Sequence, residues 1–340
     1  ITMSTVLIGE ILAIALFFVA TFGVLLGFPI AFSLAGFSLF FAALGWALGA
    51  FDPIILTSLP SRYFGLMTNE VLVAVPLFIF MGAILERSKI AEALLETMGQ
   101  MFGTMRGGLA ISVVIVGALL AASTGVVGAT VVTMGLLSLP AMMRAGYDPK
   151  LATGVICASG TLGQIIPPSV ILIFVGDLLM GANQLAAQKT GKPLEPVSVG
   201  DLFAGAFLPG IGLVALYILY ILFLAVVRPS SCPALVMDAA ERASLGRRFV
   251  RALIPPLLLI VAVLGSILSG IATPTEAASI GAIGSMVLAG FNRAFSWDML
   301  LGAMRNTAVI SALVFGIVLG VSVFSLAFRG LGGEHLVEQM

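Results

Sequence analysis

The chain has 340 residues, of which 60% are hydrophobic and 9% are charged, and its mean hydropathy is +1.18. This much apolar sequence excludes an ordinary soluble domain and predicts an all-α polytopic membrane protein. The formal net charge is zero, which gives no indication of a nucleic-acid partner. The two cysteines and the single histidine form neither a disulfide framework nor a zinc or haem ligand set, so we expect no resident cofactor.

Apolar runs, taken in chain order, divide the sequence into membrane helices and connecting segments. The first half of the chain predicts helices at 5–26, 29–50 and 71–86, an amphipathic segment at 86–106, a hairpin at 107–146 and a broken helix at 151–179. The second half predicts helices at 203–227, 252–270, 275–291 and 307–328, with polar loops at 181–200 and 228–251. In the amphipathic segment Ile90, Leu94, Leu95 and Met98 recur at helical spacing, so we expect this helix to lie along the membrane interface.

The segment 107–146 consists of two apolar arms that meet at Ser123, Thr124 and Gly125. Neither arm is comfortably long enough to cross a hydrocarbon layer of ~30 Å, which takes about 20 helical residues. The pattern therefore predicts a re-entrant hairpin.

The segment 151–179 carries the letters SGTLGQIIPPS at 159–169. Proline has no amide hydrogen, so the carbonyls of Gly163 and Gln164 lose their helical donors to Pro167 and Pro168. Non-helical backbone inside a membrane persists only where protein buries it or where it lines a solvated cavity. A hairpin followed by a broken helix indicates a substrate and ion site near the midplane of a secondary transporter.

The freed carbonyls and the nearby hydroxyls form an all-oxygen set that suits Na⁺ as a coupling ion. Helix ends at the hairpin tip expose carbonyls for a cation and amides for an anionic substrate. The predicted Na⁺ ligands are Ser123, Gly160, Thr161, Gly163, Gln164 and Ser169. The wider ion and substrate site adds Thr124, Gly125, Gly128, Thr130, Ser159, Pro167 and Pro168. Two structural alternatives stay open, namely a kinked helix whose polar groups are satisfied by neighbours, and small residues that permit tight helix packing.

Lysine and arginine placement predicts the orientation. With the N-terminus outside, twelve of the 16 basic residues fall on the cytoplasmic side and the other four on the external side. The external four are Arg62, Lys189, Lys192 and Arg329.

A weak internal repeat relates the stretch 76–85, which leads into the amphipathic segment, to the stretch 312–326, which leads into 330–340. The map gives the two copies opposite directions, so we predict an inverted-repeat secondary transporter. A second hairpin and a second broken helix should follow by symmetry. We therefore expect the second repeat to be incomplete and the chain to be truncated.

Thr273, Pro274 and Glu276 have the spacing of a capping box with proline at the first helical position, which favours a structural role for Glu276. No Walker A, HExxH or GxSxG sequence is present, so we expect no enzymatic activity. A passive ion channel, or an inverted-repeat symporter that needs no binding protein, remains the alternative function.

At these residues the chain resembles the large membrane subunit of a tripartite ATP-independent periplasmic (TRAP) transporter. The resemblance extends from the first helix to the end, and it rests on VPLFIFMG at 75–82, GTLGQIIPPS at 160–169, LFAG at 202–205 with PG at 209–210, and GIATPTEAA at 270–278. The external loop near 191–201 resembles most the subgroup named for mannitol or chloroaromatic compounds.

The resemblance implies Na⁺-coupled uptake of organic acids by an elevator-type transport domain in the bacterial inner membrane. It also implies three kinds of partner: a small four-helix membrane subunit, a periplasmic solute-binding protein and a small-molecule substrate. We divide the chain into scaffold helices with an arm helix at 1–106, the transport and ion site at 107–180, a linking region at 181–251, and the start of the second repeat at 252–340.

Overall fold

The computed structural model describes residues 3–124, 127–191, 196–234 and 239–339. Across these ranges the regular structure is helical, without strands, which confirms the all-α fold class. The first half holds α1 (Met3–Leu25), α2 (Ile30–Ala47), α3 (Leu59–Met67), α4 (Ala74–Arg87), α5 (Ile90–Phe102), α6 (Gly108–Thr124) and α7 (Val127–Arg144). The second half holds α8 (Pro149–Thr161), α9 (Val170–Thr190), α10 (Val199–Val227), α11 (Ala239–Leu268), α12 (Pro274–Phe291), α13 (Trp297–Gly330) and α14 (Gly333–Gln339).

The chain forms two compact units. One unit comprises Ile1–Asn69 and Val309–Met340, and the other comprises Glu70–Ala308. In the first unit α1, α2 and the end of α13 share a core that includes Leu16, Phe41 and Leu331. The second unit contains the predicted hairpin and the broken helix. The four-part functional division of the sequence stays a prediction.

Five helices of the described ranges are long and apolar enough to cross a membrane: Thr5–Leu25 within α1, then α2, α9, α10 and α13. The two hairpin arms are α6, with 17 residues, and α7, with 18, which lie at the lower limit of the length that crosses a hydrocarbon layer. They pack against each other on either side of a two-residue gap. The structure therefore contains the predicted pair of helical arms, while re-entrance into a bilayer stays a prediction.

Two predicted loops are partly wrong, because helices extend into them. The loop at 181–200 is helical as far as Thr190, where α9 ends at Gly191 in the left-handed conformation. The loop at 228–251 gives way to α11 at Ala239, although α11 contains Pro255 and Pro256. Polar residues continue a helix beyond its apolar stretch, so an apolar boundary marks the edge of the hydrophobic layer and not the end of the helix.

The amphipathic segment is a helix, as predicted, but protein covers its apolar face. Ile90, Leu94, Leu95 and Met98 are all less than 7% exposed, and α5 contacts α6 and α11. The hydroxyl of Ser112 on α6 donates to the Met98 carbonyl at 2.7 Å. Packing within the protein, and not contact with lipid, therefore explains the apolar pattern of α5.

In both copies of the proposed repeat, a two-residue connection joins a helix to the helix that follows it. α4 ends at Arg87 and α13 ends at Gly330, and in each case a short helix begins three residues later. The residue immediately before that helix is left-handed in both copies, namely Lys89 with φ 58° and Gly332 with φ 88°. Such a conformation is unfavourable for most side chains. A left-handed residue also follows other helices of the chain, for example Gly191 after α9, so the repeat stays a prediction.

The N-terminus of α12 has the predicted capping box. The Thr273 hydroxyl accepts a hydrogen bond from the amide of Glu276, and the Glu276 carboxylate accepts one from the Thr273 amide at 2.8 Å. The Thr275 hydroxyl also donates to the Glu70 carbonyl at 2.8 Å, which ties α12 to the segment preceding α4. Glu276 thus has the structural role that its spacing indicated.

Candidate functional site

The broken helix begins with α8, whose first turn is set by its sequence. A carboxylate oxygen of Asp148 accepts a hydrogen bond from the Lys150 amide at 2.9 Å, and Pro149 occupies the first helical position, where its missing amide hydrogen costs nothing. The helix then continues through Cys157 to Thr161.

α8 ends in a tight turn at Leu162–Gln164. The amides of Ile165 and Ile166 both donate to the Leu162 carbonyl, at 3.0 and 2.9 Å. The two prolines follow, joined by a cis peptide bond, and α9 begins at Val170. The predicted break is confirmed, and it lies where the prolines remove the helical hydrogen-bond donors.

Ser169 closes the break by bonding in two directions. Its hydroxyl donates to the Gln164 carbonyl at 2.8 Å and accepts from the Leu172 amide at 3.4 Å. It therefore caps α9 and replaces the donor that Pro168 removes from Gln164. The Ser169 hydroxyl and the Gln164 carbonyl, both predicted Na⁺ ligands, are thus hydrogen-bonded to each other. The Gly163 carbonyl also lacks its helical donor, because Pro167 has no amide hydrogen.

The break is buried within the second unit. Leu162 and Ser169 have no exposed surface, and the turn contacts α6, α7 and α10. On α10, a methyl group placed on Gly210 would lie 3.0 Å from Cγ1 of Ile166, so this glycine lets α10 approach the break. Enclosure by neighbouring helices is the condition under which non-helical backbone is stable at membrane depth.

Both hairpin arms pack against the last turn of α8 at glycine contacts. A methyl group on Gly117 of α6 would lie 2.7 Å from Cβ of Ser159, and one on Gly160 would lie 3.1 Å from Cα of Val131 on α7. Neither position has room for a side chain unless its neighbours move. Ser159 and Gly160 therefore lie between the two arms, and Gly160 serves close helix packing, the alternative that the sequence left open.

The hydroxyls near the break differ in how far they are exposed. Thr161 is exposed, and its hydroxyl donates to the Ala158 carbonyl at 2.7 Å. Ser159 and Thr130 are buried, and the Ser159 hydroxyl donates to the Ile156 carbonyl at 3.0 Å. A hydroxyl that donates to its own helix keeps its lone pairs for another partner. Thr161 thus presents an accessible oxygen acceptor at the end of α8.

The hairpin tip is described only in part. The backbone of Ser123 and Thr124 forms the end of α6, and Gly125 lies outside the described residues. Beyond the tip, Gly128 is exposed in the first turn of α7, with open space around it. The structure brings together Ser159, Gly160 and the turn, and the buried Thr130 precedes Val131, which contacts Gly160. It leaves the contribution of the tip a prediction.

A charged cavity of about 680 Å³ adjoins the second arm, and the sequence did not single it out. Its lining includes Glu86, Arg87 and Lys89 from the end of α4, and Gly128 and Thr133 from α7. The Thr133 hydroxyl donates a hydrogen bond to the half-buried Glu86 carboxylate, which links α4 to the hairpin arm. The available sequence signal was an acid in the last turn of an apolar helix, where a basic residue is more favourable.

Among the described residues, no cluster of three or more histidine, cysteine or acidic side chains is suited to a transition metal. The oxygens near the break are hydroxyls and carbonyls, the ligands of a hard cation. The donor set thus fits an alkali cation as cargo, with Thr161 as the accessible hydroxyl.

The fold is that of an all-α polytopic membrane protein with a helical hairpin packed on a broken helix. The sequence from 14 to 340 matches the family described as "Tripartite ATP-independent periplasmic transporter, DctM component". The chain belongs to this family. The family is described as a transporter component, and the relatives named below are permeases, not enzymes.

Similar proteins carry matching names. The chain is 32% identical over 275 residues to the C4-dicarboxylate TRAP transporter large permease protein DctM of Rhodobacter capsulatus, which covers 78% of this chain and 60% of that protein. It is 34% identical over 290 residues to the DctM protein of Vibrio cholerae serotype O1, covering 82% and 56%. It is 29% identical over 302 residues to the ectoine TRAP transporter large permease protein TeaC of Halomonas elongata, covering 86% and 63%. The chain thus spans somewhat more than half the length of these relatives.

Proposed function

We propose that this chain forms part of a large permease subunit that imports a small carboxylate-bearing solute together with Na⁺. The buried break between α8 and α9, enclosed by both hairpin arms, is the observation that carries this proposal. Coupling to an ion gradient supplies the driving force, since the sequence has no nucleotide-binding motif.

Sodium binds at the C-terminal end of α8 in this proposal. The carbonyl end of a helix carries a partial negative charge that attracts cations. The Thr161 hydroxyl and the Gly163 carbonyl lie at that end, and Gly160, Gln164, Ser169 and the tip at Ser123 complete the predicted ligand set. Because Ser169 and Gln164 are hydrogen-bonded to each other, we assign them the role of holding the site in shape. Direct contact with Na⁺ is assigned to Thr161.

The solute is an organic acid or a related small polar molecule. The relatives are named for C4-dicarboxylate and for ectoine, and both compounds carry carboxylate groups. No lysine or arginine occurs in the sequence from 107 to 143 or from 151 to 188. The carboxylate must then rely on amides at helix N-termini, on hydroxyls and on the bound cation.

Transport follows an elevator-type mechanism in which α6, α7 and α8 move as one body. The tight contacts of Gly117 with Ser159 and of Gly160 with Val131 support rigid movement of these helices. Na⁺ binding at the break orders the hairpin tip and completes the solute site. The hydrogen bond between Thr133 and Glu86 connects this body to α4 and is a candidate contact to break during the cycle.

The chain works in the bacterial inner membrane with its N-terminus in the periplasm, as the distribution of basic residues favours. Its proposed partners are a small four-helix membrane subunit and a periplasmic solute-binding protein. Labelling of single cysteines placed at Arg62 and Arg144 tests the orientation, because only the first should react with an impermeant reagent added to intact spheroplasts. Labelling of the second position alone would reverse the orientation.

Uptake into liposomes tests the function. The permease, in the form that its natural gene encodes, is reconstituted with its proposed small membrane subunit and binding protein. Uptake of radiolabelled C4-dicarboxylates and ectoine is then measured with Na⁺ or choline outside. We expect uptake only with inward Na⁺ and with the binding protein present. Equal uptake in choline contradicts sodium coupling, and uptake without the binding protein favours an independent symporter.

A further inference from the structure

A second cavity lies away from the break, between α6, α8 and α10, and has a volume of about 540 Å³. Most of its lining is apolar and comes from facing helices. The apolar lining residues are Val114, Leu151, Val155, Ala158, Ile221 and Leu224. At one end the lining changes to Asp148, Lys150, Arg228 and Ser231. We call this cavity the α8–α10 groove.

The charged end of the groove is basic. Lys150 and Arg228 are both exposed, and within the described part of the chain neither forms an ion pair. The Asp148 carboxylate is occupied at the start of α8, where it accepts the Lys150 amide. Two exposed cations and one capping carboxylate leave a net positive charge at this end, which favours an anion.

The groove has the length of one membrane leaflet. Tyr217, Tyr220 and Leu224 line the groove from α10, and Arg228 directly follows the last residue of this helix. The eleven steps from Tyr217 to Arg228 rise ~16 Å at about 1.5 Å each. Half of a hydrocarbon layer of ~30 Å is ~15 Å. A small soluble anion needs only the basic end, whereas this lining continues as an apolar channel beside it.

The floor of the groove is open on α8. Gly154 lines the cavity, and a methyl group placed on it would meet no atom within 4 Å. Ala158 lies one turn further along the same face. Small residues at this spacing leave a furrow along the helix, which lets another apolar segment approach its backbone closely.

The loop at the basic end is held in place. The Asp148 amide donates to the Ser231 carbonyl at 3.0 Å, and the Gly107 amide donates to the Cys232 carbonyl at 3.0 Å. These bonds fix the segment after Arg228 against the starts of α8 and α6. The two basic residues are therefore anchored on a defined frame at the mouth of the groove.

We propose that the α8–α10 groove binds an acidic phospholipid, with its phosphate between Lys150 and Arg228 and one acyl chain along Gly154 and Leu224. Basic pockets between membrane helices on the cytoplasmic side are suited to anionic headgroups. The proposed orientation places this end of the groove in the cytoplasmic leaflet. Binding in detergent does not depend on orientation, on Na⁺ or on the transported solute.

Native mass spectrometry of the delipidated protein in detergent tests the site, with phosphatidylglycerol and phosphatidylcholine of identical acyl chains as probes. We expect one phosphatidylglycerol to be retained in preference to phosphatidylcholine. The double variant Lys150→Gln/Arg228→Gln should retain it on the order of thirtyfold more weakly. The matched control Arg144→Gln, which removes an exposed cytoplasmic-side charge outside the groove, should behave as the wild type.

The acyl chain is tested separately with Gly154→Leu, whose Cβ enters open space and whose longer side chain extends into the furrow. This variant should lose phosphatidylglycerol while keeping its unfolding temperature. Excess inorganic phosphate should not compete. Equal retention of the two lipids by the wild type overturns the proposal without any variant. Competition by phosphate indicates a soluble-anion site and also overturns the proposal. Loss of lipid in Gly154→Leu with no effect of the charge variant indicates a site for a neutral lipid and overturns the proposal as well.

Discussion

The Ser169 hydroxyl donates a hydrogen bond to the Gln164 main-chain carbonyl at 2.8 Å, across the two prolines that separate α8 from α9. This bond replaces a donor that the prolines cannot provide. A single serine thus satisfies the carbonyl on one side of the break and caps the helix on the other side.

Replacing Ser169 with alanine should destabilise the protein. The change leaves the carbonyl of the half-buried Gln164 without this donor and removes the cap of α9, and each loss costs about 1 kcal/mol or more. Ser169→Thr is the control, because it keeps a hydroxyl. Thermal unfolding in detergent should show a lower midpoint for the alanine variant. An unchanged midpoint in Ser169→Ala would mean that the bond contributes nothing.

Replacing Gly160 with alanine should also destabilise the protein, by roughly 1–3 kcal/mol, because the new methyl group overlaps Val131 on the second hairpin arm. Gly154→Ala on the same helix is the matched control, since its methyl group enters open space and alanine has the higher helix propensity. Unfolding midpoints of the two variants decide the matter. If both variants behave alike, the arm does not pack on α8 at this glycine.

Glu86 and Thr133 should be energetically coupled. Their hydrogen bond joins α4 to α7, and a bond to a charged group contributes about 1.5–3 kcal/mol. We expect the variants Glu86→Ala and Thr133→Val to be non-additive by about 1 kcal/mol or more in a double-mutant cycle on the free energy of unfolding. Additive effects would show that the contact carries no net energy.

Cys232 should react slowly with maleimide in the folded protein. Its side chain is buried, and burial raises the pKa of its thiol, so the reactive thiolate is scarce near neutral pH. In a Cys157→Ser background, labelling should be slow in detergent, should accelerate as the pH rises and should become rapid in denaturant. Equally fast labelling before and after denaturation would mean that the loop at the mouth of the α8–α10 groove is open.

The fold could be predicted from sequence wherever a local feature of a few neighbouring residues determined the structure. The absence of amide hydrogens in Pro167 and Pro168 located the break, and the spacing of Thr273 and Glu276 located a helix start. Helix ends were harder to predict, because α9 and α11 continue through polar sequence that composition assigns to loops.

Contacts between distant segments could not be predicted in this way. The packing of Gly160 on Val131 depends on which face of α8 the hairpin contacts, and no pattern in a single sequence indicates that face. The bond between Glu86 and Thr133 spans 47 residues and was missed for the same reason. The residue types alone were enough to predict which oxygen-bearing residues lie near the break. The structure was needed to show that Thr161 is accessible whereas Ser169 is buried and hydrogen-bonded within the break.

The central claim is that oxygens at the end of α8 bind Na⁺, and equilibrium binding of ²²Na⁺ to the purified permease tests it most directly. The decisive comparison is Thr161→Val against Thr153→Val, a control in the same helix whose exposed hydroxyl likewise donates to a carbonyl of its own helix. We predict saturable binding in the wild type and the control, and binding at least tenfold weaker in Thr161→Val. Equal binding by the two variants, or no saturable binding by the wild type, would contradict the account.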